Sequence, residues 1–333
     1  MPRELDEDDV RNRPGRGSRR RSRLRPNYHD ATEAMVVAVD RGRFTCQVED
    51  GPVVTAVRGG DVRRTPVVVG DRVQLAGDAS GTTDSMARIV TVAERTTLLR
   101  RTPDDTDAIE RPVVANAELL VVVTSLADPP PRIGMIDRCL VAAYDGGLQP
   151  ALCLTKRDLA DPEPVAQLYR PFGLPMISTA PGDDLTELHA LLTNRTSVLF
   201  GHSGVGKSTL VNVLVPSAHR LTADVNDVTG RGRHTSSSAV ALPLPGGGYV
   251  IDTPGVRSFG LGMVSPERVL AAFPDLAAAA ADCPRDCSHL DAAPDCALDE
   301  GLREGLLSSE RVESLRRLLA AREAPEYGPK ADY

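Results

Sequence analysis

Lysine is nearly absent from this chain. Of 39 basic residues only three are lysines, Lys156, Lys207 and Lys330; tryptophan is missing, and aromatic residues make up 3%. Phe44 is the only aromatic residue between positions 31 and 98. Base stacking of the kind used by single-strand binders is therefore poorly supported in that stretch. No run approaches the roughly 18 apolar residues of a membrane span. The N-terminus has no apolar stretch of the secretory kind, so no membrane association and a reducing cytoplasmic setting are expected. Six cysteines are too few and too scattered for a disulfide framework, and Cys46, Cys139 and Cys153, isolated in apolar runs, read as core.

The scarcity of lysine gives weight to where it survives. A composition this biased toward arginine keeps lysine only where a compact ammonium is needed, and two of the three lysines fall inside nucleotide motifs. Residues 201–209 read GHSGVGKST, a complete phosphate-binding loop. Such a pattern arises by accident in a chain this long about once in ~100. Its flanks also agree with the reading: TSVLF (196–200) reads as a buried strand and STLVNVLV (208–215) as a helix facing the phosphate with its N-terminus. Gly201, Gly204 and Gly206 allow backbone N–H groups to converge on a phosphate. His202, Ser203 and Val205 complete the loop, with Thr209 following it. Lys207 is expected on the β- and γ-phosphates, and Ser208 on Mg²⁺.

Residues 252–255 read DTPG after the strand-like GGYVI (247–251). Asp252 is expected to hold Mg²⁺ through water, and Gly255 to offer its N–H to the γ-phosphate. Val256 stands where Ras-like enzymes place a water-orienting glutamine, so hydrolysis needs another group or a partner. The guanine-reading motif is TKRD, Thr155, Lys156, Arg157 and Asp158, after the apolar run PALCL. A carboxylate at 158 can accept from both the ring N–H and the exocyclic amine of guanine. Lys156 is expected along the base, and the hydroxyl of Thr155 replaces the commoner asparagine amide. Ser178, Thr179 and Ala180, ending the strand-like PMISTA, are candidates to close over the base. In a Ras-like chain TKRD would come last; here it precedes the phosphate loop, and that order indicates a circularly permuted GTPase.

Between the phosphate loop and DTPG, residues 224–238 (DVNDVTGRGRHTSSS) have no apolar periodicity and read as a loop. Thr235 is the candidate for a second Mg²⁺ hydroxyl, with Ser236 the alternative. His234 is a candidate to position water; a loop histidine is as readily just solvated.

The length accommodates two or three domains, and four segments are expected. Residues 11–25 carry eight arginines and no acid, so 1–30 reads as a disordered basic arm, either a solvated tail or a phosphate-backbone contact. Residues 31–98 show five β-branched runs with regular turns, an OB-like five-stranded barrel. It holds eight basic and nine acidic residues, so it is no basic surface as a whole, although Arg58, Arg63 and Arg64 are candidates for RNA phosphates. Residues 99–262 alternate strand and helix signals in an α/β pattern with a mostly parallel sheet. Residues 263–333 turn helical around Cys283, Cys287, His289 and Cys296, four ligands that make a closed tetrahedral Zn²⁺ site. The alternative is three thiols that merely crowd together.

Taken together, the permuted order TKRD, GHSGVGKST, DTPG, the GRGRHT stretch before DTPG, the barrel and the Cys/Cys/His/Cys cluster closely resemble the ribosome small-subunit-dependent GTPases, the RsgA/YjeQ family. The resemblance covers about 31–310. It implies a zinc-bearing enzyme that binds the small ribosomal subunit and its rRNA late in maturation and hydrolyses GTP to GDP when stimulated by it. His234 then matches the histidine proposed to assist. A monomer is expected. One departure is visible: three residues separate Cys283 from Cys287, where the family pattern has four. The arginine-rich arm is not a general family feature. Two rival classes remain at this point, an RNA-binding module that keeps nucleotide as a prop and a small-molecule P-loop kinase. Intact Lys207, Ser208 and Asp252 disfavour the first, and TKRD with DTPG the second.

Overall fold

The computed structural model describes residues 31–82, 85–101, 111–216, 239–253, 264–291 and 293–323. The β-branched runs at its start form β1 (Thr32–Asp40), β2 (Arg43–Val48), β3 (Val53–Arg58), β4 (Arg72–Gly77) and β5 (Ala87–Val92). They close in the order β1-β2-β3-β5-β4 with β4 returning to β1; β3 and β5 pair in parallel and the rest antiparallel. Alternate residues point inward, as the period of a strand requires, and Val36, Phe44, Val54, Ala56, Leu75 and Ile89 fill the barrel. The β1–β2 hairpin turns on Arg41 and Gly42, both with positive φ (43° and 87°), the two-residue loop whose twist suits a hairpin.

A two-stranded ribbon follows, β6 (Leu98–Arg101) with β7 (Arg111–Ala115), which the sequence reading did not anticipate. Gly70 makes its junction with the barrel possible. Its φ is 89°, and a Cβ there would fall 1.9 Å from the Ala115 carbonyl oxygen.

The α/β portion contains β8 (Leu119–Ser125), β9 (Gln149–Thr155), β10 (Met176–Thr179), β11 (Arg195–Phe200), β12 (Val240–Pro243) and β13 (Gly248–Asp252). Their order is β10-β9-β8-β11-β13-β12, all parallel except β12. Every residue of β8 is buried, the mark of a strand covered on both faces. One face carries α1 (Ile133–Asp145) and α2 (Glu163–Tyr169), with Ile136, Leu140 and Tyr169 in the core. The other carries α3 (Thr186–Leu192) and α4 (Lys207–Leu214), through Leu188, Leu192, Leu210 and Leu214. At the edge, Val240 of β12 pairs with Ala38 of β1, so barrel and α/β sheet share one continuous ribbon of strands.

Four C-terminal helices, α5 (Pro266–Ala271), α6 (Pro274–Ala280), α7 (Ala297–Arg303) and α8 (Ser309–Glu323), enclose a third core around Phe273, Leu276, Leu298 and Leu315. This core also takes in Val141 of α1 and Phe172. Polar contacts fasten it there. Arg311 bonds Asp275 and the Pro171 carbonyl while its guanidinium lies over the rings of Phe172 and Phe273. Arg317 pairs with the fully buried Asp137, which also accepts the Tyr169 hydroxyl at 2.8 Å.

Burial pushes the Asp137 carboxyl above its ordinary range, and Arg317 opposes that shift. Arg317→Met should leave the carboxylate short of its charge partner. Breaking a buried pair costs about 3–5 kcal/mol; with Arg317 partly exposed, about 2–3 is expected. The sign with pH follows from the raised value. Ionising Asp137 opposes folding above the unfolded carboxyl value of about 4, so the deficit of the variant relative to the native chain should shrink as pH falls toward it. Urea unfolding of both proteins across that range measures this; a deficit that grows in acid would refute it.

Candidate functional site

Five parallel strands bring their carboxyl ends to one edge of the sheet. Ser125 stands opposite Thr155, Thr179 opposite Thr155, and Leu199 opposite Asp252. The chain leaves β8 toward β9 and β10 on one side, while β11 and β13 extend the other. The β8–β11 boundary is thus the switch point where open α/β sheets bind ligands.

The phosphate loop leaves β11 at this point. A Cβ on Gly201 would lie 2.4 Å from the Val123 carbonyl oxygen, so the loop can hug β8 only as glycine. Gly204 and Gly206 have φ of 85° and 93°, and Gly206 caps α4. Ser203, Gly204, Ser208 and Thr209 face solvent, Val205 is buried, and the half-buried His202 holds Nδ1 2.9 Å from the Ser203 carbonyl oxygen. Lys207 Nζ is paired with Asp252 Oδ1, which joins the first residue of α4 to the end of β13. The motifs at 201–209 and 252 therefore meet in one place, a cation and a carboxylate beside a glycine-rich loop.

The guanine-side motif reaches the same edge. Thr155 is buried, and its hydroxyl donates to the Val205 carbonyl at 2.6 Å, tying TKRD to the phosphate loop. Lys156 has φ of 60°, and its ammonium donates to the Asp128 carbonyl. Arg157 forms a two-pronged pair with Asp183 at 2.7 and 2.9 Å. Asp158 and Ser178 are exposed, and Thr179 is buried. Asp183 and Asp128 were missed from sequence; neither lies in a motif, and only the fold brings them here. Gly255, Val256, His234, Thr235 and Ser236 lie outside the described residues, as does the 1–30 arm.

Far along the chain, Cys283, Cys287, His289 and Cys296 place their ligand atoms within 4.8 Å of one another. Cys283 Sγ lies 3.6 Å from His289 Nδ1 and 3.9 Å from Cys296 Sγ, so the shortened spacing does not take it out of the cluster. Left-handed φ at Asp286, His289 and Asp295 (61°, 58° and 52°) folds the loop tightly enough to converge. The Ala297 N–H donates to Cys283 Sγ at 3.3 Å, and Arg316 donates to the His289 carbonyl at 3.1 Å. Burial, with Arg316 nearby, depresses the His289 imidazole, so the ring is neutral and fit to ligate. Burial and the neighbouring thiols push Cys296 up to about 11 in the absence of a metal ion. Cys46, Cys139 and Cys153 are buried as expected, and burial lifts Cys46 and Cys153 to about 12, which makes them inert.

Motif order along the chain, set against motif position in the sheet, defines the class: a circularly permuted P-loop GTPase. Residues 92–262 match the family model described as RsgA GTPase, and the chain belongs to that family, whose activity is GTP hydrolysis. It is 39% identical over 264 residues to the small ribosomal subunit biogenesis GTPase RsgA of Pseudomonas fluorescens, spanning 77% of this chain and 75% of the relative. To the protein of that name from Pseudomonas aeruginosa it is 39% identical over 232 residues, 67% and 68% of the two chains. Among solved structures, YjeQ from Thermotoga maritima superposes with a TM-score of 0.67 at 25% identity, over 88% of this chain and 99% of that one. YloQ, titled a circularly permuted GTPase, gives 0.65 at 24%, over 91% and 100%. Among the described residues no helix is long and apolar enough to cross a membrane.

Proposed function

We propose that this chain is a cytoplasmic, monomeric GTPase that binds the small ribosomal subunit through its rRNA and hydrolyses GTP as a timing switch late in the subunit's maturation. The observation that carries the reading is convergence. Lys207 and Asp252 meet at the switch point, and Thr155 ties the guanine motif to the loop that carries Lys207. Mg²⁺, bound with GTP, would neutralise charge developing on the phosphates. In this reading Ser208 and Asp252 would hold it, with Thr235 as the further hydroxyl, while Lys207 would take the β- and γ-phosphates and His234 would orient water. In this reading 1–30 is a basic arm, 31–98 the RNA-facing barrel with Arg58, Arg63 and Arg64 exposed, 99–262 the GTPase part and 263–333 a zinc-binding part. The test is hydrolysis by the purified protein with and without small subunits. Slow turnover alone and a large increase with subunits are expected; equal rates would sink the switch.

Zinc is the metal proposed for the cysteine cluster. Zinc–sulfur bonds of about 2.3 Å give a tetrahedron with edges of about 3.8 Å. The separations among Cys283 Sγ, His289 Nδ1 and Cys296 Sγ, 3.6 to 3.9 Å, match it, and the Cys287 ligand atom lies within 4.8 Å of all three.

Guanine selectivity is assigned to Asp158, exposed at the end of β9 beside the 178–180 segment. Asp158→Asn should weaken GTP by about 1–3 kcal/mol, the cost of a poorly paired donor, and favour a xanthine nucleotide. Binding titrations with GTP, XTP and ATP decide it; native affinity for ATP equal to that for GTP would end the assignment.

A further inference from the structure

The loops after β9 and β10 flank the place where Asp158 would meet a purine, and they come from separate strands. Arg157 Nε donates to Asp183 Oδ2 at 2.7 Å and Nη2 to Oδ1 at 2.9 Å. The same Oδ2 accepts the Ala180 N–H at 2.6 Å, and the Arg157 N–H donates to the Thr179 carbonyl at 3.1 Å. Among the described residues this is the one side-chain bridge between the two loops. The carboxylate stays ionised: the Arg157 guanidinium, then the Ala180 N–H, hold it below its usual range.

Magnitude separates two roles for this bridge. The Arg157 side chain is 49% exposed and that of Asp183 21%. A pair so open to water contributes little to the fold. Its two-pronged geometry, with a backbone N–H on one prong, fixes orientation far better than it adds stability. Two of the three guanidinium nitrogens of Arg157, Nε and Nη2, are committed to Asp183.

We infer that Asp183 is a specificity-positioning residue: with Arg157 it locks the 178–180 segment at a fixed distance from Asp158, so that the two loops grip one guanine base from two sides. This rests on the guanine reading of Asp158 proposed above. The phosphate loop is held separately, through Thr155 to Val205, and has no part in the bridge. Loosening the bridge should therefore weaken the hold on the base and leave the hold on the phosphates intact.

The test is affinity of the full chain, with Mg²⁺, for GTP, ATP and tripolyphosphate, which has no base. Asp183→Ala is expected to weaken GTP about tenfold, about 1.4 kcal/mol, while tripolyphosphate, ATP and the melting temperature stay unchanged. Asp183→Asn keeps the shape and an acceptor for the Ala180 N–H but loses the charge. It should fold in any case and fall between native and Ala. Unchanged GTP affinity in both variants overturns the inference. So does a parallel loss of GTP and tripolyphosphate, which would make Asp183 a support of the phosphate side or of the fold. A native protein that holds ATP as tightly as GTP overturns the guanine reading itself, and this inference with it.

Discussion

Stripping the zinc proposed for the Cys283, Cys287, His289 and Cys296 cluster is expected to release the loop between α6 and α7 while GTP binding survives. Two magnitudes set the expectation. A structural zinc site contributes an apparent ~10–16 kcal/mol to folding at neutral pH. The core of a small helical region supplies only about 3–5 kcal/mol. Cys296 is itself part of that core, beside Leu298 and Phe273, so losing the metal also opens apolar packing. The damage should stop at α1. The third core meets the α/β portion at Val141 and Phe172, whereas α4, which carries Lys207, packs in the core on the other face of the sheet. Acid should have the same effect as chelation, because the ligands bind as thiolates and neutral imidazole. The measurement is limited proteolysis before and after chelation, with elemental analysis of the native protein and GTP titration of both forms. Absence of zinc in freshly purified protein, or an unchanged cleavage pattern after its removal, would refute the expectation. Cys283→Ser should reproduce the chelated pattern.

The parts of this molecule that could be read from sequence are those whose signal is local. The phosphate loop was legible because its glycines, lysine and serine must sit at fixed short spacing, and β8 because LLVVV is a continuous apolar run. The barrel strands were legible from short β-branched runs set apart by regularly spaced turns. The Cys/Cys/His/Cys cluster was legible because its four side chains fall within a short loop. What escaped depends on partners distant in sequence. The β6–β7 ribbon is short, and its worth lies in Ala115 meeting Gly70. Strand β12 is four residues closed by a proline and is fixed by neighbours on both sides, β13 and β1. Helices α6 and α7 have seven residues each, too few for a periodic signal, and rest on the core that surrounds them. Asp183 and the Asp137–Arg317 pair carry no motif. Their roles exist only once β9 meets β10 and α8 meets α1.

The largest kinetic effect is expected at Lys207. Its ammonium sits against Asp252 at the head of α4, with left-handed Gly204 and Gly206 leaving the loop bare of side chains. In phosphoryl transfer the protein works chiefly by placing charge where it develops on the phosphates, and loss of one such group typically costs about 10²–10³-fold in rate. Lys207→Ala should fall at least that far and weaken GTP binding as well. Lys207→Arg is the sharper test. Elsewhere this chain uses arginine almost exclusively, so charge alone would be satisfied by it. A planar fork with a wider head cannot enter a cradle shaped for a point charge. Arg at 207 is therefore expected to restore little of the lost rate. Asp252→Asn should raise the Mg²⁺ needed for turnover, and combined with Lys207→Ala it should cost less than the two separate losses together, because Lys207 and the Mg²⁺ that Asp252 would hold act on the same phosphates. Single-turnover hydrolysis at saturating GTP, followed across a Mg²⁺ series, reads both effects. A Lys207→Arg enzyme with near-native turnover would show that the site needs only a positive charge, and the survival of lysine at this position would then need another cause.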